Sequence, residues 1–370
     1  MKIEVFNNNT IHYKDPESRI EIHPLWLRER IRDNKSIDIN NEQRLYEHTK
    51  LDKNLSIKTA IIQNNLLNIE FSDGIKFNFE IEDLLYELNK KLISNGPVNR
   101  AILWDSTFSC DGSYVFNNDM FKQQKMYNIL QDFYRYGFVI IKGVPIKENF
   151  ILKFANSIGA VRATNFGEIF NVLSVPKPND LAYTSLGLSA HTDNPYRKPV
   201  PCIQLLHCLK NKVSGGHSTL VDGFAVANYL KKNYNKYYNI LTKTKVRFRF
   251  VDKDVILENW GELIQLDEKN NTKQIRYSSR LDYVPAMDKK KLEIYYEARR
   301  KIAELYSSKQ FEIKFKLNEG DLLMMDNHRL LHGRTEYDAN EGERHLQGCY
   351  IDYDSTEGKL RHLKRKLNIN

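Results

Sequence analysis

The stretch Cys202–Asp222, CIQLLHCLKNKVSGGHSTLVD, carries two short apolar runs separated by a polar turn with paired glycines, Gly215 and Gly216. Apolar runs this short, bounded by turn residues, read as buried strands rather than helices. The same pattern continues in VRFRFV (246–251), QIRYSS (274–279), FEIKFKL (311–317) and DLLMMD (321–326). Helical periodicity interrupts it in FAVANYLKKNY (224–234) and KKKLEIYYEARRKIAELY (289–306). Upstream, Met126, Ile129, Leu130 and Phe133 recur at helical spacing, FVIIKGV (138–144) reads as a strand, and NFILKFANSIG (149–159) as another helix. Many short strands with a few helices predict an α+β, mainly β architecture: a sandwich or jelly roll buttressed by helices.

The first part of the chain has a different texture. IKTAIIQ (57–63) and LLNIEF (66–71) alternate apolar with polar residues, Ser72-Asp73-Gly74 supplies turn chemistry, and IKFNF (75–79) resumes the strand pattern. A helix over EIEDLLYELNKKLI (80–93) should end at Asn95-Gly96-Pro97, because glycine terminates helices readily and proline cannot continue them. The expectation is a small β-rich N-terminal domain over 1–95 and a larger domain over 98–370.

Bulk properties narrow the classes. With 41% hydrophobic and 28% charged residues and no apolar run long enough to cross a bilayer, the chain is expected to be soluble, with no membrane partner. MKIEVFNNNTIHYKD lacks the apolar block of a secretory signal, so a cytoplasmic location is expected. Cys110, Cys202, Cys208 and Cys349 are scattered and read as reduced structural thiols. A net charge of +9 raises the question of nucleic acid, but only the tail KLRHLKRKL is a basic run, and that reads as a solvated helix. No nucleic-acid partner is expected, and attraction of small anionic substrates accounts for the charge.

Within SAHTDNPY, His191 and Asp193 stand two residues apart. On an extended strand that spacing turns an imidazole and a carboxylate to one face. His332, in LLHGR after the strand DLLMMD, completes a set of two histidines and one carboxylate, which leaves half of an octahedral iron shell open for co-substrates. Taken alone, HTD is a weak signal, since His-x-Asp arises by chance in many proteins and reads more readily as a hydrogen-bonded surface pair. The ordered set adds weight: the glycine turn, then His332, Gly333 and Arg334, then Arg344 a hairpin's length further on. A guanidinium fork there suits a carboxylate ligand, the other reading being a surface arginine.

HTDNPY, GGHSTLVDG, DNHRLLHGR and ERHLQGCYIDYD together resemble the dioxygenases that hydroxylate γ-butyrobetaine and trimethyllysine, a branch of the taurine dioxygenase superfamily. The resemblance runs from about Trp104 to the C-terminus. It implies a double-stranded β-helix, Fe(II) bound by His191, Asp193 and His332, and 2-oxoglutarate held by Arg344 with Ser218 as a hydroxyl helper. It also implies O2 as co-substrate, stimulation by ascorbate, release of succinate and CO2, and a homodimer. His217 stands where the family usually has Asp. Related halogenases lack the metal-binding carboxylate, so Asp193 argues for hydroxylation.

The resemblance extends to the substrate. Phe166, Phe170, Tyr183 and Tyr350 match an aromatic cage for a trimethylammonium group, which aromatic faces attract, although each ring could equally be core packing. Asp180 and Ser278 replace asparagines that hold the carboxylate of γ-butyrobetaine; beside the cation, Asp180 could assist instead. Asn194, Tyr196 and Arg280 could recognise an anionic end, carboxylate or phosphonate, and Arg280 could alternatively pair with Asp282. The expected function is hydroxylation of a small trimethylammonium compound resembling γ-butyrobetaine, with 2-(trimethylamino)ethylphosphonate or trimethyllysine as alternatives. A catalytically silent binding protein of the same fold is the non-enzymatic alternative. HPLWLRERIRD resembles the opening of the family's zinc-binding accessory domain. The zinc cysteines are missing and Ile75 stands where a histidine ligand falls, so no structural zinc is expected and stability must come from residues such as Leu25, Trp26 and Leu27.

Overall fold

Alternation of side chains along each strand builds the larger unit. The computed structural model describes residues 1–88, 101–109, 114–173 and 184–369. The chain divides into two compact units, Met1–Asn95 and Gly96–Asn370. The predicted turn at Asn95-Gly96-Pro97, the end of the helix before it, and Cys110 lie outside the described residues.

In the first unit, strands Lys2–Val5, Ile11–Lys14 and Arg19–Glu21 form one sheet, and Ile57–Gln63, Leu66–Phe71 and Lys76–Glu80 another. Asn64 and Asn65, both at positive φ, make the tight turn between Ile57–Gln63 and Leu66–Phe71; asparagine tolerates that region better than most residues. The core gathers Ile11, Tyr13, Leu27, Leu67 and Phe71, with Leu25 and Trp26 packed at its edge. Each such fully buried side chain contributes roughly 1.5–3 kcal/mol.

Beside a three-stranded sheet of Ile256–Glu262, Lys245–Val251 and Asp282–Tyr283 and a two-stranded one of Ile264–Leu266 and Thr272–Ile275, the second unit is built on two larger sheets. One has six strands in the order Tyr114–Val115, Phe138–Lys142, Leu322–Asp326, Ile203–Asn211, Arg344–Ile351, Phe170–Leu173; the other has four, Leu188–His191, Leu330–Arg334, Ser218–Asp222, Glu312–Phe315. Odd and even residues of the six-stranded sheet go opposite ways. Val139, Ile141, Leu205, Met324 and Cys349 pack against helices Gln123–Tyr136, Phe150–Ile158 and Tyr353–Lys366. Phe138, Ile140, Leu323, Met325 and Leu346 instead meet Leu220, Ile313 and Leu330 of the four-stranded sheet. The other face of that smaller sheet, with Val221 and Leu331, packs on helices Gly223–Asn233, Asn235–Leu241 and Lys289–Tyr306. The result is a two-sheet sandwich between helical layers.

Three local expectations are corrected. The strand containing His191 ends at His191, with an irregular register before it, so Asp193 lies in the following turn rather than on the same extended strand. Arg344 comes back to the cavity that His332 lines, but not by pairing with its strand: the Arg344 strand pairs with Ile203–Asn211 in the six-stranded sheet, whereas the His332 strand pairs with Ser218–Asp222 and Leu188–His191 in the other. The chain therefore crosses between sheets where a hairpin was expected. Finally, the strand predicted over QIRYSS stops at Ile275, because the backbone of Tyr277 bonds to Thr192 instead, its N–H donating to Thr192 Oγ1 at 3.0 Å and its carbonyl accepting from Thr192 N at 2.8 Å.

Candidate active site

The inward residues of both sheets line one cavity. Gln204, Leu206, Arg344, Leu346 and Tyr350 come from the six-stranded sheet, and His191, Ser218, His332 and Arg334 from the other. Residues beyond Ile275 bring in Ser278 and Arg280.

His191 and His332 are register partners across adjacent antiparallel strands, their ring centroids 4.4 Å apart. Asp193 Oδ1 lies 3.5 Å from His191 Nε2 and 3.7 Å from His332 Nε2. Among the described residues this is the one group of His, Cys, Asp or Glu side chains that converges as a metal site would. His191 Nδ1 lies 2.9 Å from the Ser189 carbonyl oxygen, which can only accept, so Nδ1 carries a proton and Nε2 is the nitrogen that faces Asp193. Burial, with His191 and Arg280 nearby, pushes the His332 imidazole down to about 3, so it is neutral at ordinary pH. Burial alone would raise the Asp193 carboxyl, but the two histidines and the Tyr350 hydroxyl outweigh it and hold the carboxyl well below its usual range. Two imidazoles and one carboxylate fit a divalent iron.

Asp193 is fixed although it stands off the strand. Its N–H donates to Asn327 Oδ1 at 2.7 Å, and Asn327 Nδ2 donates to its carbonyl at 3.0 Å. Gln204 Nε2 and the Tyr350 hydroxyl donate to Asp193 Oδ2 at 2.6 and 2.8 Å. Asn194, at positive φ, donates from Nδ2 to Tyr350 Oη and accepts from the Tyr196 hydroxyl. Asn194 and Tyr196 therefore brace the metal carboxylate through Tyr350. Sequence reasoning missed Gln204 and Asn327; the signal for Gln204 was a polar residue inside the apolar run CIQLLHC, buried at 2% exposure.

Arg344 is 5% exposed, and among the described residues it has no ion pair and no side-chain hydrogen bond. Its guanidinium faces the Tyr337 ring, 5.7 Å from the centroid, and burial pulls its pKa below the usual arginine value. Gly216, at φ +65°, makes room for it: a Cβ there would stand 2.9 Å from Arg344 Nε. A buried cation with open donors fits a dicarboxylate ligand. Ser218 lines the same cavity, as does Arg334, whose guanidinium donates to the carbonyls of Thr184 and Leu186 at 2.7 Å each.

Of the residues expected to contact substrate, Phe170 stacks on Tyr350 with centroids 5.1 Å apart, and Phe166 also lines the cavity. Gly348 is required beneath Phe170, since a Cβ would come within 2.3 Å of that ring. Asp180 and Tyr183 lie outside the described residues. Arg280 is exposed in the cavity and, among the described residues, has no ion-pair partner; its alternative partner Asp282 is taken by Arg299 through two bonds of 2.5 and 2.9 Å. The Ser278 hydroxyl also lines the cavity, buried and, among the described residues, without a hydrogen-bond partner.

A model of the family described as taurine catabolism dioxygenase TauD, TfdA family matches residues 115–350. The γ-butyrobetaine dioxygenase of Pseudomonas sp. (strain AK-1) is 35% identical over 229 residues, 62% of this chain and 60% of that protein. The human γ-butyrobetaine dioxygenase is 30% identical over 328 residues, 86% of this chain and 84% of that protein. The mouse mitochondrial trimethyllysine dioxygenase is 27% identical over 360 residues, covering 92% and 82%. Among solved structures, an asparagine oxygenase in complex with Fe(II), hydroxyasparagine and succinate superposes with a TM-score of 0.50 at 17% identity, over 62% of this chain and 79% of that one, a likeness of fold alone. On the sequence match and the converging triad, this chain belongs to the taurine catabolism dioxygenase TauD, TfdA family of iron- and 2-oxoglutarate-dependent dioxygenases.

Proposed function

We propose that the protein hydroxylates a small trimethylammonium compound resembling γ-butyrobetaine, consuming 2-oxoglutarate and O2 and releasing succinate and CO2. The two sheets are read as a double-stranded β-helix whose mouth is this cavity. The observation that carries the reading is one cavity holding three things together: a triad of two imidazoles and a carboxylate, a buried guanidinium without an ion-pair partner among the described residues, and the stacked rings of Phe170 and Tyr350.

His191, Asp193 and His332 would hold the iron, and Arg344 with Ser218 the distal carboxylate of oxoglutarate. Bound iron would supply activation of O2 and oxidation of an unactivated C–H bond. The chain's own groups orient the partners: the aromatic wall would seat the trimethylammonium group, and the sandwiched position limits access of water. Relatives named for γ-butyrobetaine and trimethyllysine, both trimethylammonium compounds, support that substrate class.

A second reading is favoured by Arg280 and the unpartnered Ser278 hydroxyl, which suit a doubly charged end such as the phosphonate of 2-(trimethylamino)ethylphosphonate. The test is succinate release with Fe(II), ascorbate and oxoglutarate across a panel of trimethylammonium carboxylates, trimethyllysine and the phosphonate. Release should require one of these and vanish in His191→Ala; no release across the panel would sink the assignment. In Arg280→Ala, a loss confined to the phosphonate favours the second reading, and equal losses on all substrates reject it.

A further inference from the structure

A carboxylate can bind a metal through one oxygen or two, and the choice decides how many positions remain open. Oxoglutarate needs a chelating pair of positions and O2 one more, so a bidentate Asp193 would compete directly with the co-substrates. Nothing in an aspartate's own chemistry prevents this. The surroundings of Asp193 do.

Oδ1 faces the two histidines, at 3.5 and 3.7 Å, whereas Oδ2 receives the Gln204 amide at 2.6 Å and the Tyr350 hydroxyl at 2.8 Å. An ionised carboxylate oxygen only accepts, which orients both donors toward it. Tyr350 is itself held by Asn194, and the backbone on either side of the carboxylate is clamped by Asn327, so neither Asp193 nor Tyr350 can turn without breaking several bonds, and Gln204 cannot turn without giving up its bond to Oδ2. Gln204 is 2% exposed and Tyr350 4% exposed, so water cannot readily replace them.

We propose that Gln204 and Tyr350 are positioning residues that occupy Asp193 Oδ2 and thereby confine the carboxylate to one-oxygen metal binding, keeping the oxoglutarate positions open. This rests on the iron assignment above. Tyr350 has a double task, since the same ring is stacked on Phe170 in the substrate wall.

The experiment compares the parent protein with Tyr350→Phe, Gln204→Leu and the double variant, all shown folded by circular dichroism. Tyr350→Phe keeps the ring and removes only the hydroxyl; should one variant fail to fold, the other still carries the test. Under anaerobic conditions Fe(II) is titrated first and oxoglutarate second, followed by calorimetry and by the visible charge-transfer absorption of the iron–oxoglutarate chelate. Freed Oδ2 should swing onto the metal: metal affinity stays within about threefold of the parent or tightens, while oxoglutarate binds about tenfold more weakly and the absorption fades. A merely structural role would instead lower metal and oxoglutarate affinity together, and that outcome, or no change in either, overturns the inference alone. Failure of the parent itself to bind Fe(II) and oxoglutarate would overturn the functional reading and this inference with it.

Discussion

Replacing Arg344 with methionine separates a ligand-binding role from a structural one, because the two make opposite demands on stability. The side chain is 5% exposed, so solvent screens its charge little, and among the described residues no anion offsets that charge. A bidentate grip on a carboxylate comprises two charge-assisted hydrogen bonds of about 1.5–3 kcal/mol each. Arg334 lines the same cavity and keeps its charge, which favours the lower half of that range. The expected loss is ~3–4 kcal/mol, or roughly 10²–10³-fold in oxoglutarate affinity. Without ligand, the same substitution removes a buried, unpaired cation and leaves an apolar stem, so the stability of the unliganded protein should hold or rise by about 1 kcal/mol.

Anaerobic oxoglutarate titration in the presence of Fe(II) and denaturant unfolding without either ligand measure the two quantities. Arg344→Lys should fall between parent and methionine variant, because an ammonium keeps the charge but not the fork. Oxoglutarate affinity within threefold of the parent in Arg344→Met would refute the anchoring role. So would a loss of more than about 2 kcal/mol in unliganded stability, since it would mean that the guanidinium holds the fold.

Gly216→Ala should weaken oxoglutarate by about tenfold with a stability loss of only ~1–2 kcal/mol, because the added Cβ at φ +65° stands 2.9 Å from Arg344 Nε; calorimetry and thermal unfolding check it. His207 is fully buried, its ring nitrogens are without partners among the described residues, and burial pushes its imidazole down to about 4, below the ordinary 6.5. The folded value is the lower one, so stability is fully present above 6.5 and lost as pH falls toward 4, by ~1.4 kcal/mol per unit and about 3 kcal/mol in all. In denaturant unfolding at several pH values, His207→Leu should lose that part of the acid slope; an unchanged slope would remove His207 as its source.

The candidate metal triad His191, Asp193 and His332, and Arg344 after it, were legible in the chain because their chemistry is carried by residue types in a fixed order. Their placement was less so. The break in register before His191 and the clamp that Asn327 puts on Asp193, 134 residues away, are long-range facts that local periodicity cannot carry. The same holds for the crossing of Arg344 to the other sheet, since a strand's partner depends on burial patterns across the whole domain. Gln204 was hidden for a related reason. One polar residue in an apolar strand signals a buried partner but does not name it.

The alternation along a single strand ties the site together more closely than the list of its residues does. In Arg344–Ile351 the even-numbered residues face the cavity: Arg344 at one end, Leu346 beside it, Gly348 giving space to Phe170, and Tyr350 at the far end on Asp193. Odd-numbered Cys349 and Ile351 face the helices and lock the strand from behind. Strand spacing of about 3.4 Å per residue then sets the distance between the guanidinium and the metal carboxylate as a property of the backbone rather than of any flexible side chain. The proposed oxoglutarate anchor, the proposed substrate wall and the brace on Asp193 thus share one rigid ruler. A slip of one residue in its pairing with Ile203–Asn211 would turn all of these groups away from the cavity at once.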